Sequence, residues 1–268
     1  MVMEIRKFGG KTLSVNTYLQ NLASSLVLSE SEKSSVTTSV NTIKSRLDNY
    51  FSDITEKKIF GSYSRETILP RKADENSDVD IMVVFSNPNG YKPQSFLDRL
   101  KKFAEYYYNS SEIYQSSPSL VLELNHIKFE LTPSYVTYGT YYIPDGPSNW
   151  KSTDPDGFSS VLLECNKNNG YKIKPVIRLL KHWNIQKNGR DLPSFLLEKT
   201  LAEELKYSYF SCSTYTDYLK AGLDKIKYKT DYNKVETAID YVNKAISYEE
   251  QGMPYSAEQE IKKAFPEI

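Results

Sequence analysis

A short strand that opens with two acidic residues restricts the folds available to this chain. The segment Val79–Phe85 is apolar and rich in β-branched residues apart from one acid, which predicts a buried strand. Asp78 and Asp80 stand two positions apart at its start. Strand alternation puts both side chains on one face, roughly 6–7 Å apart. Two carboxylates this close repel each other unless a cation lies between them, although such a pair alone also occurs at solvated strand ends.

A Gly-Ser pair upstream of this strand offers a complementary feature. Gly61 and Ser62 follow a short apolar run, and Ser62 stands 16 positions before Asp78. At the start of a helix, which we predict here, such a pair offers free backbone N–H groups and a hydroxyl to a phosphate tail. Most Gly-Ser pairs are ordinary turns, but this one is followed by Arg65, Thr67 and the acidic strand. The combination indicates a site that binds a phosphate tail beside a metal ion.

A third acid is expected on a neighbouring strand. Glu130 stands in an apolar run, where an unpaired carboxylate costs several kcal/mol. A metal site would explain this position; a basic partner or an outward-facing position on a half-exposed strand would also explain it. Glu123 is the alternative third acid. Mg²⁺ prefers a few carboxylates together with substrate phosphates, so three acids would suit two such ions.

The order of predicted elements indicates an α+β fold. The first 51 residues follow helical spacing, with the polar stretch Ser29–Ser35 as a turn that has capping potential. Strands and one helix follow, and Ile143–Asp156, which holds three prolines, is predicted to be a long loop. Beyond it all segments have helical periodicity. We therefore expect two domains: residues 1–150, with N-terminal helices and a catalytic core, and residues 151–268, a helical lobe. The predicted helices after the loop are Gly157–Asn168, Lys174–Gln186, Pro193–Tyr207, Thr214–Leu223, Asn233–Tyr248 and Pro254–Ala264.

Composition excludes several classes of function. The 34 basic and 34 acidic residues balance, which argues against a binder of long nucleic acids. Two cysteines and two histidines without metal-ligand spacing argue against a zinc site or a disulfide framework. The sequence contains no run of about 18 apolar residues, so no membrane span is predicted. Residues 1–4 lack the pattern of a signal peptide, so we expect a cytoplasmic protein.

The residues Gly61–Thr67 followed by Ser77–Val84 resemble the polymerase-β-like nucleotidyltransferase superfamily. Within it they are most similar to the cGAS/DncV-like nucleotidyltransferases of bacterial anti-phage signalling. The resemblance runs from about Ile59 to Leu205. It implies a nucleotidyltransferase lobe with a mixed sheet and a helical second lobe, linked by an N-terminal helical spine.

The resemblance also implies roles for individual residues. Three acids would hold the metal ions: Asp78, Asp80 and Glu130. The third acid of the family is usually Asp, so Glu130 departs from the pattern. Nucleotide contacts would come from Gly61, Ser62, Arg65, Lys181, Ser194 and Phe195. Lys181 would reach the phosphates, Ser194 would contact phosphate and the Phe195 ring would stack on the base. The alternatives are a solvated helix position for Lys181 and plain core packing for Phe195.

These features predict an enzyme that joins nucleoside triphosphates, ATP or others, into a cyclic di- or trinucleotide second messenger. Mg²⁺ or Mn²⁺ would be the cofactor, and the resemblance alone implies an effector protein that binds the product. Two alternatives stay open. One is transfer of a nucleotide to a tRNA, a protein or a small molecule. The other is a catalytically silent nucleotide-binding regulator, which Glu130 in place of Asp keeps open.

Overall fold

The computed structural model describes residues 14–87, 89–207 and 211–268, and these form a mixed sheet and two groups of helices. The first 13 residues of the predicted helical region lie outside the described residues. The helices are α1 (Val15–Ser25), α2 (Glu30–Tyr50), α3 (Gly61–Ser64), α4 (Pro93–Tyr107), α5 (Gly157–Asn168), α6 (Ile173–Gln186), α7 (Ser194–Glu204), α8 (Tyr215–Ile226), α9 (Tyr232–Glu250) and α10 (Pro254–Ala264). The strands are β1 (Ile54–Phe60), β2 (Asp78–Phe85), β3 (Glu112–Ser116), β4 (Ser119–Glu123), β5 (Lys128–Thr137), β6 (Thr140–Asp145) and β7 (Asn149–Thr153).

The predicted acidic strand, β2, lies inside the sheet. The strand order is β1-β2-β5-β4-β3, and β2 runs parallel to β5 while the other pairs are antiparallel. Five of the eight β2 residues form a continuous buried run at its end, as expected for an interior strand. Apolar residues of α2 and α4 pack on the sheet in one core that contains Phe103 and Phe129. This core holds the start of β2 in place.

The second lobe is built from helices that surround a different core. Helix α6 carries Trp183 into this core, and residues from α5, α7, α8, α9 and α10 pack around it. Helix α1 also belongs here, because Leu19 and Leu22 are buried in the same cluster and the Tyr18 hydroxyl donates to the Phe265 carbonyl at 2.6 Å. Since α2 packs on the sheet and α1 on the helices, the N-terminal pair links the lobes. The expected α+β fold with a helical spine is confirmed.

The prediction of a long loop over Ile143–Asp156 is wrong, because β6 and β7 form an antiparallel hairpin there. Pro144 made the segment look irregular. In the structure Pro144 pairs only with Trp150 of β7, and its other side lies beyond the part of β6 that pairs with β5. A proline is therefore accommodated at this end of the strand, where one side has no partner. The division of the chain after residue 150 stays a prediction; in the structure β7 continues to Thr153.

Two further segments differ from the sequence-based expectation. The stretch Ser29–Ser35 is not a turn, since α2 begins at Glu30 and its polar residues form the exposed first turns. Ser29 does act as the cap: its hydroxyl accepts from the Glu32 amide at 3.2 Å, and the Glu32 carboxylate accepts from the Ser29 amide at 2.8 Å. Strand β3 was not predicted, because its mostly exposed polar residues at the edge of the sheet lack apolar alternation.

The structure also bears on the membrane expectation. None of the helices within residues 14–87, 89–207 and 211–268 combines the length and the apolar character that crossing a bilayer requires.

The reciprocal capping at Ser29 predicts a measurable contribution to stability. Replacing Ser29 with Ala removes a side-chain acceptor for an amide at the start of α2 and should lower the free energy of unfolding by about 1 kcal/mol. Ser45→Ala is the matched control, since Ser45 is an exposed residue within the same helix. It should be neutral or slightly stabilising, because Ala has the higher helix propensity. Equal losses in urea unfolding of both variants would contradict the capping role.

Candidate active site

Parallel pairing of β2 with β5 brings the three predicted acids together. In this register Asp80 lies opposite Glu130, and Asp78 lies opposite Lys128. Ligand oxygens of Asp78, Asp80 and Glu130 all lie within 4.8 Å of one another. The cluster contains Glu130 and not Glu123, whose carboxylate instead accepts from the Tyr114 hydroxyl at 3.2 Å.

Burial and mutual repulsion make this acid cluster unstable as three bare anions. Burial raises the pKa of Asp80 well above its ordinary value, and the charges of Asp78 and Glu130 raise it further. Burial is also the main reason that the pKa values of Asp78 and Glu130 are raised. A divalent cation would remove this conflict, and hard oxygen donors are the ligands that Mg²⁺ or Mn²⁺ accepts. The three residues therefore fit a metal site by the chemistry of their donors.

A lysine that the sequence analysis did not single out stands beside the acids. The Lys128 ammonium lies 3.9 Å from a carboxylate oxygen of Asp78 and 3.9 Å from one of Glu130. It offsets part of the negative charge of the cluster in the metal-free protein. Lys128 precedes Glu130 by two positions on one strand, so strand alternation alone would have placed both on the same face.

Gly61 is required by the close approach of the chain to Asp80. Its φ angle is +72°, and a β-carbon added there would lie 1.7 Å from the Asp80 Oδ2 atom. The predicted helix after Gly-Ser is only the single turn α3. The Ser62 carbonyl then accepts from the Thr67 and Ile68 amides at 2.9 and 3.2 Å, which fixes the segment that follows. The pair is thus held directly against the acid cluster.

The two predicted cationic contacts, Arg65 and Lys181, meet at a buried acid. Glu198 of α7 is 1% exposed; it accepts from the Arg65 Nε atom at 2.7 Å and lies 2.5 Å from the Lys181 ammonium. The Thr67 hydroxyl donates to the same carboxylate at 2.8 Å. Although burial raises the pKa of Glu198, the charges of Lys181 and Arg65 outweigh it and the pKa is lowered. The alternative of a solvated position for Lys181 is wrong, because this residue is only 4% exposed.

A cleft of about 360 Å³ is lined by residues of both lobes. Of the predicted site residues, Glu130 and Lys181 do not line it. Gly61, Ser62 and the two aspartates of β2 line one side, and Ser194, Phe195 and Glu198 of α7 line the other. Phe195 is 52% exposed, so the alternative of plain core packing is wrong for this ring. The centroid of the Phe195 ring lies 5.2 Å from that of Phe158. The Arg65 guanidinium lies 5.6 Å from the Phe195 centroid.

Among the residues that line the cleft, Asp154, Phe158 and Glu198 were not singled out from the sequence. Asp154 lines the cleft and accepts from the Gly157 amide at 2.8 Å, at the start of α5. It falls in the segment that was predicted to be a loop. Glu198 did carry a signal, because an acid between Leu197 and Leu201 on one helix predicts a buried and paired carboxylate.

Comparison with known proteins identifies relatives of this chain. The sequence profile of the family described as second messenger oligonucleotide or dinucleotide synthetase domain matches residues 13–166, more than half of the chain. A cyclic AMP-AMP-AMP synthase of an Acinetobacter strain is 27% identical over 179 residues, 62% of this chain and 52% of that protein. A probable cyclic nucleotide synthase of Bacillus cereus is 29% identical over 111 residues, 38% of this chain and 33% of that protein. The matches thus span about half, or less, of the length of these relatives.

Solved structures show the same fold at lower sequence identity. Escherichia coli MS115-1 CdnC with ATP superposes with a TM-score of 0.70 at 13% identity and covers 96% of this chain and 98% of that one. Escherichia coli DncV with 3'-deoxy GTP gives a TM-score of 0.72 at 13% identity over 94% of this chain and 96% of that one. At 13% identity this likeness shows the fold alone, over the part of the chain that each structure covers.

The contact between Gly61 and Asp80 predicts a loss of metal affinity. In Gly61→Ala the new methyl group must displace the Asp80 carboxylate, so Mn²⁺ affinity should fall by at least about tenfold, the equivalent of one lost contact. Gly139→Ala is the matched control, because its φ is +77° and nothing lies within 4 Å of the added carbon. Both variants should lose about 1–2 kcal/mol of stability from left-handed strain. Calorimetric titration with Mn²⁺ measures the difference; unchanged affinity in Gly61→Ala would contradict this arrangement.

The raised pKa of Asp80 predicts how stability depends on pH without metal. A carboxyl group whose pKa is raised on folding costs stability as the pH rises through the interval between its ordinary and its raised pKa. Asp80→Asn in EDTA should therefore raise the melting temperature at about pH 8, and the gain should shrink towards about pH 4. Asp98→Asn, at an exposed position of α4, serves as the control for the substitution itself and should change the melting temperature little. Calorimetry that finds the same gain at both pH values would exclude the charge of Asp80 as its cause.

Proposed function

The chain belongs to the family of second messenger oligonucleotide or dinucleotide synthetase domains, and from this premise we propose that it joins nucleoside triphosphates into a cyclic di- or trinucleotide. The observation that carries the proposal is the cluster of three acids, two of which, Asp78 and Asp80, line one cleft with Ser62 and the exposed ring of Phe195. These are the parts that phosphoryl transfer requires: a metal site, a phosphate cradle and a platform for a base.

In the proposed reaction the acids act as ligands and not as nucleophiles. Asp78, Asp80 and Glu130 would hold Mg²⁺ or Mn²⁺, which when bound lowers the pKa of an attacking ribose hydroxyl and stabilises the departing pyrophosphate. The short distances among their oxygens support this role. The chain itself positions the reactants, which accounts for most of the catalysis of phosphoryl transfer.

The cleft walls suggest how a triphosphate would be held. Gly61 and Ser62 would supply backbone amides and a hydroxyl to the phosphates, with Ser194 at the start of α7 on the opposite wall. Phe195 would stack on the base. Arg65 lines the cleft, and together with the buried Lys181 it would give positive potential to this region. The contacts of both side chains with Glu198 keep them in fixed positions. Fixed cations lose less conformational entropy when a phosphate binds than mobile ones do.

The names of relatives support a cyclic product. The Acinetobacter relative is named a cyclic AMP-AMP-AMP synthase and the Bacillus relative a probable cyclic nucleotide synthase. The similar CdnC and DncV structures contain ATP and 3'-deoxy GTP. We propose ATP or other NTPs as substrates and an effector protein as the receptor of the product, with the reaction taking place in the cytoplasm. The balanced charge favours small nucleotides over long nucleic acids as ligands.

Product analysis tests the proposal. The protein is incubated with all four NTPs and Mg²⁺ or Mn²⁺, the mixture is treated with phosphatase, and the products are analysed by mass spectrometry. We expect a phosphatase-resistant cyclic mass with wild-type protein and none with Asp78→Ala/Asp80→Ala, because that variant lacks two of the three metal ligands. The mass also gives the ring size and the bases.

Other outcomes distinguish the alternatives. Linear products alone would overturn cyclisation while keeping nucleotidyl transfer. Consumption of NTP only after a tRNA, protein or small-molecule acceptor is added would establish transfer to that acceptor. Binding of labelled ATP with no turnover in the presence of either metal would establish a silent nucleotide-binding protein.

A further inference from the structure

A second cavity lies on the other side of the segment that carries Gly61 and Ser62. It has a volume of about 510 Å³, larger than the acid-lined cleft, and within the size range of pockets that hold small organic molecules. Residues 61, 62 and 65 line the acid-lined cleft, whereas residues 63, 64 and 66 line this one. We call it the back cavity; its other walls come from α2, β1 and α6.

The back cavity contains a buried guanidinium with an unused donor. Arg178 of α6 lines the cavity and is 9% exposed. One of its terminal nitrogens donates to the Glu66 carbonyl at 3.0 Å, but its Nε atom has no hydrogen-bond partner among the described residues. A buried donor of a charged group without a partner is costly. No reaction proposed for the acid-lined cleft uses Arg178.

The carboxylate that lines the cavity, Glu66, attracts Arg178 but is shared with two other cations, Lys174 and Lys33. The Glu66 side chain is bound to the Lys174 ammonium at 2.8 Å, and this hydrogen bond lowers the pKa of Glu66. At the rim Lys33 pairs with Glu30 at 2.7 Å, an exposed pair of the kind that contributes little. Burial lowers the pKa of the Arg178 guanidinium to about 10, so it is charged at neutral pH. The wall thus carries two cations, Arg178 and Lys33, and one carboxylate, Glu66, that is already hydrogen-bonded to a third cation.

The remaining lining is mostly apolar. Val27, Leu28, Ile59, Tyr63 and Ile68 surround the cations. A bare inorganic anion would leave this surface wet, whereas an uncharged apolar molecule would leave the Arg178 Nε atom without a hydrogen-bond partner. We propose that the back cavity binds a small organic anion, a carboxylate or phosphate carried on an apolar or aromatic body.

A ligand in the back cavity would contact the segment that carries Gly61 and Ser62 at the proposed active site. Tyr63 and Ser64 belong to the same single turn as Gly61, whose Cα approaches the Asp80 carboxylate closely. Ile68 donates its amide to the Ser62 carbonyl. A ligand that packs on Tyr63 and Ile68 therefore contacts the rear of the phosphate-binding segment, and it would regulate that segment without entering the cleft.

Dye binding tests the site independently of any enzymatic activity. The probe is 8-anilino-1-naphthalenesulfonate, an aromatic anion that fluoresces when bound, and the uncharged N-phenyl-1-naphthylamine is its matched control. We expect saturable binding of the anion to wild-type protein and an affinity about tenfold lower in Arg178→Met, since a charge-assisted hydrogen bond is lost. Binding of the uncharged dye should change less than about twofold.

Two further variants keep the test decisive if Arg178→Met folds poorly. Thr37→Phe places a ring in the back cavity from the exposed face of α2 and should also abolish binding of the anionic dye. Phe195→Ala alters the acid-lined cleft and should leave dye affinity unchanged. Equal affinity in wild type, Arg178→Met and Thr37→Phe would place the dye elsewhere and overturn the site. Equal losses for both dyes in Arg178→Met would overturn recognition of an anion.

Discussion

The parallel pairing of β2 with β5 is the interaction on which the rest of the site depends. It places Asp80 directly opposite Glu130, and a shift of the register by one residue would turn Glu130 to the other face of the sheet. Parallel neighbours need a crossover connection, and here α4, β3 and β4 supply it. Helix α4 packs its apolar face on the sheet in the same core as α2. The acid cluster therefore depends on the topology and packing of the whole first lobe.

Glu198 holds side chains of the two lobes together, as the pairing of β2 with β5 holds the acids together within the first lobe. It comes from α7, while its partners Arg65 and Thr67 follow α3 and Lys181 comes from α6. Removing one partner of a buried ion pair leaves an uncompensated charge, which typically costs about 3–5 kcal/mol. Any arrangement of the lobes that separates these partners would carry this cost, so the network favours the arrangement seen in the structure. That arrangement sets the width of the cleft between Ser62 and Phe195.

The parts of the molecule that follow from local periodicity could be predicted from the sequence. The bounds of α5 and α10 agree with the prediction, and the acidic strand is β2. Strands β3, β6 and β7 could not be predicted, because edge strands are recognised by their partners and not by their own polar residues. The partners of Arg65 and Lys181 were also hidden. Their shared acid is more than a hundred positions from Arg65 in the chain, and only tertiary packing brings them together.

Glu130 stands where related enzymes usually have Asp, and the question is whether its longer side chain still places an oxygen in the acid cluster. The longer Glu130 side chain still brings its oxygen within 4.8 Å of both aspartates, so the extra methylene group does not separate it from the cluster. The more consequential feature is Lys128, which stands equally close to Asp78 and Glu130. A divalent ion bound by the three acids would share the carboxylates of Asp78 and Glu130 with the Lys128 ammonium. Metal affinity at this site is therefore governed by the balance between the repulsion of three acids, which favours the ion, and the proximity of Lys128, which opposes it.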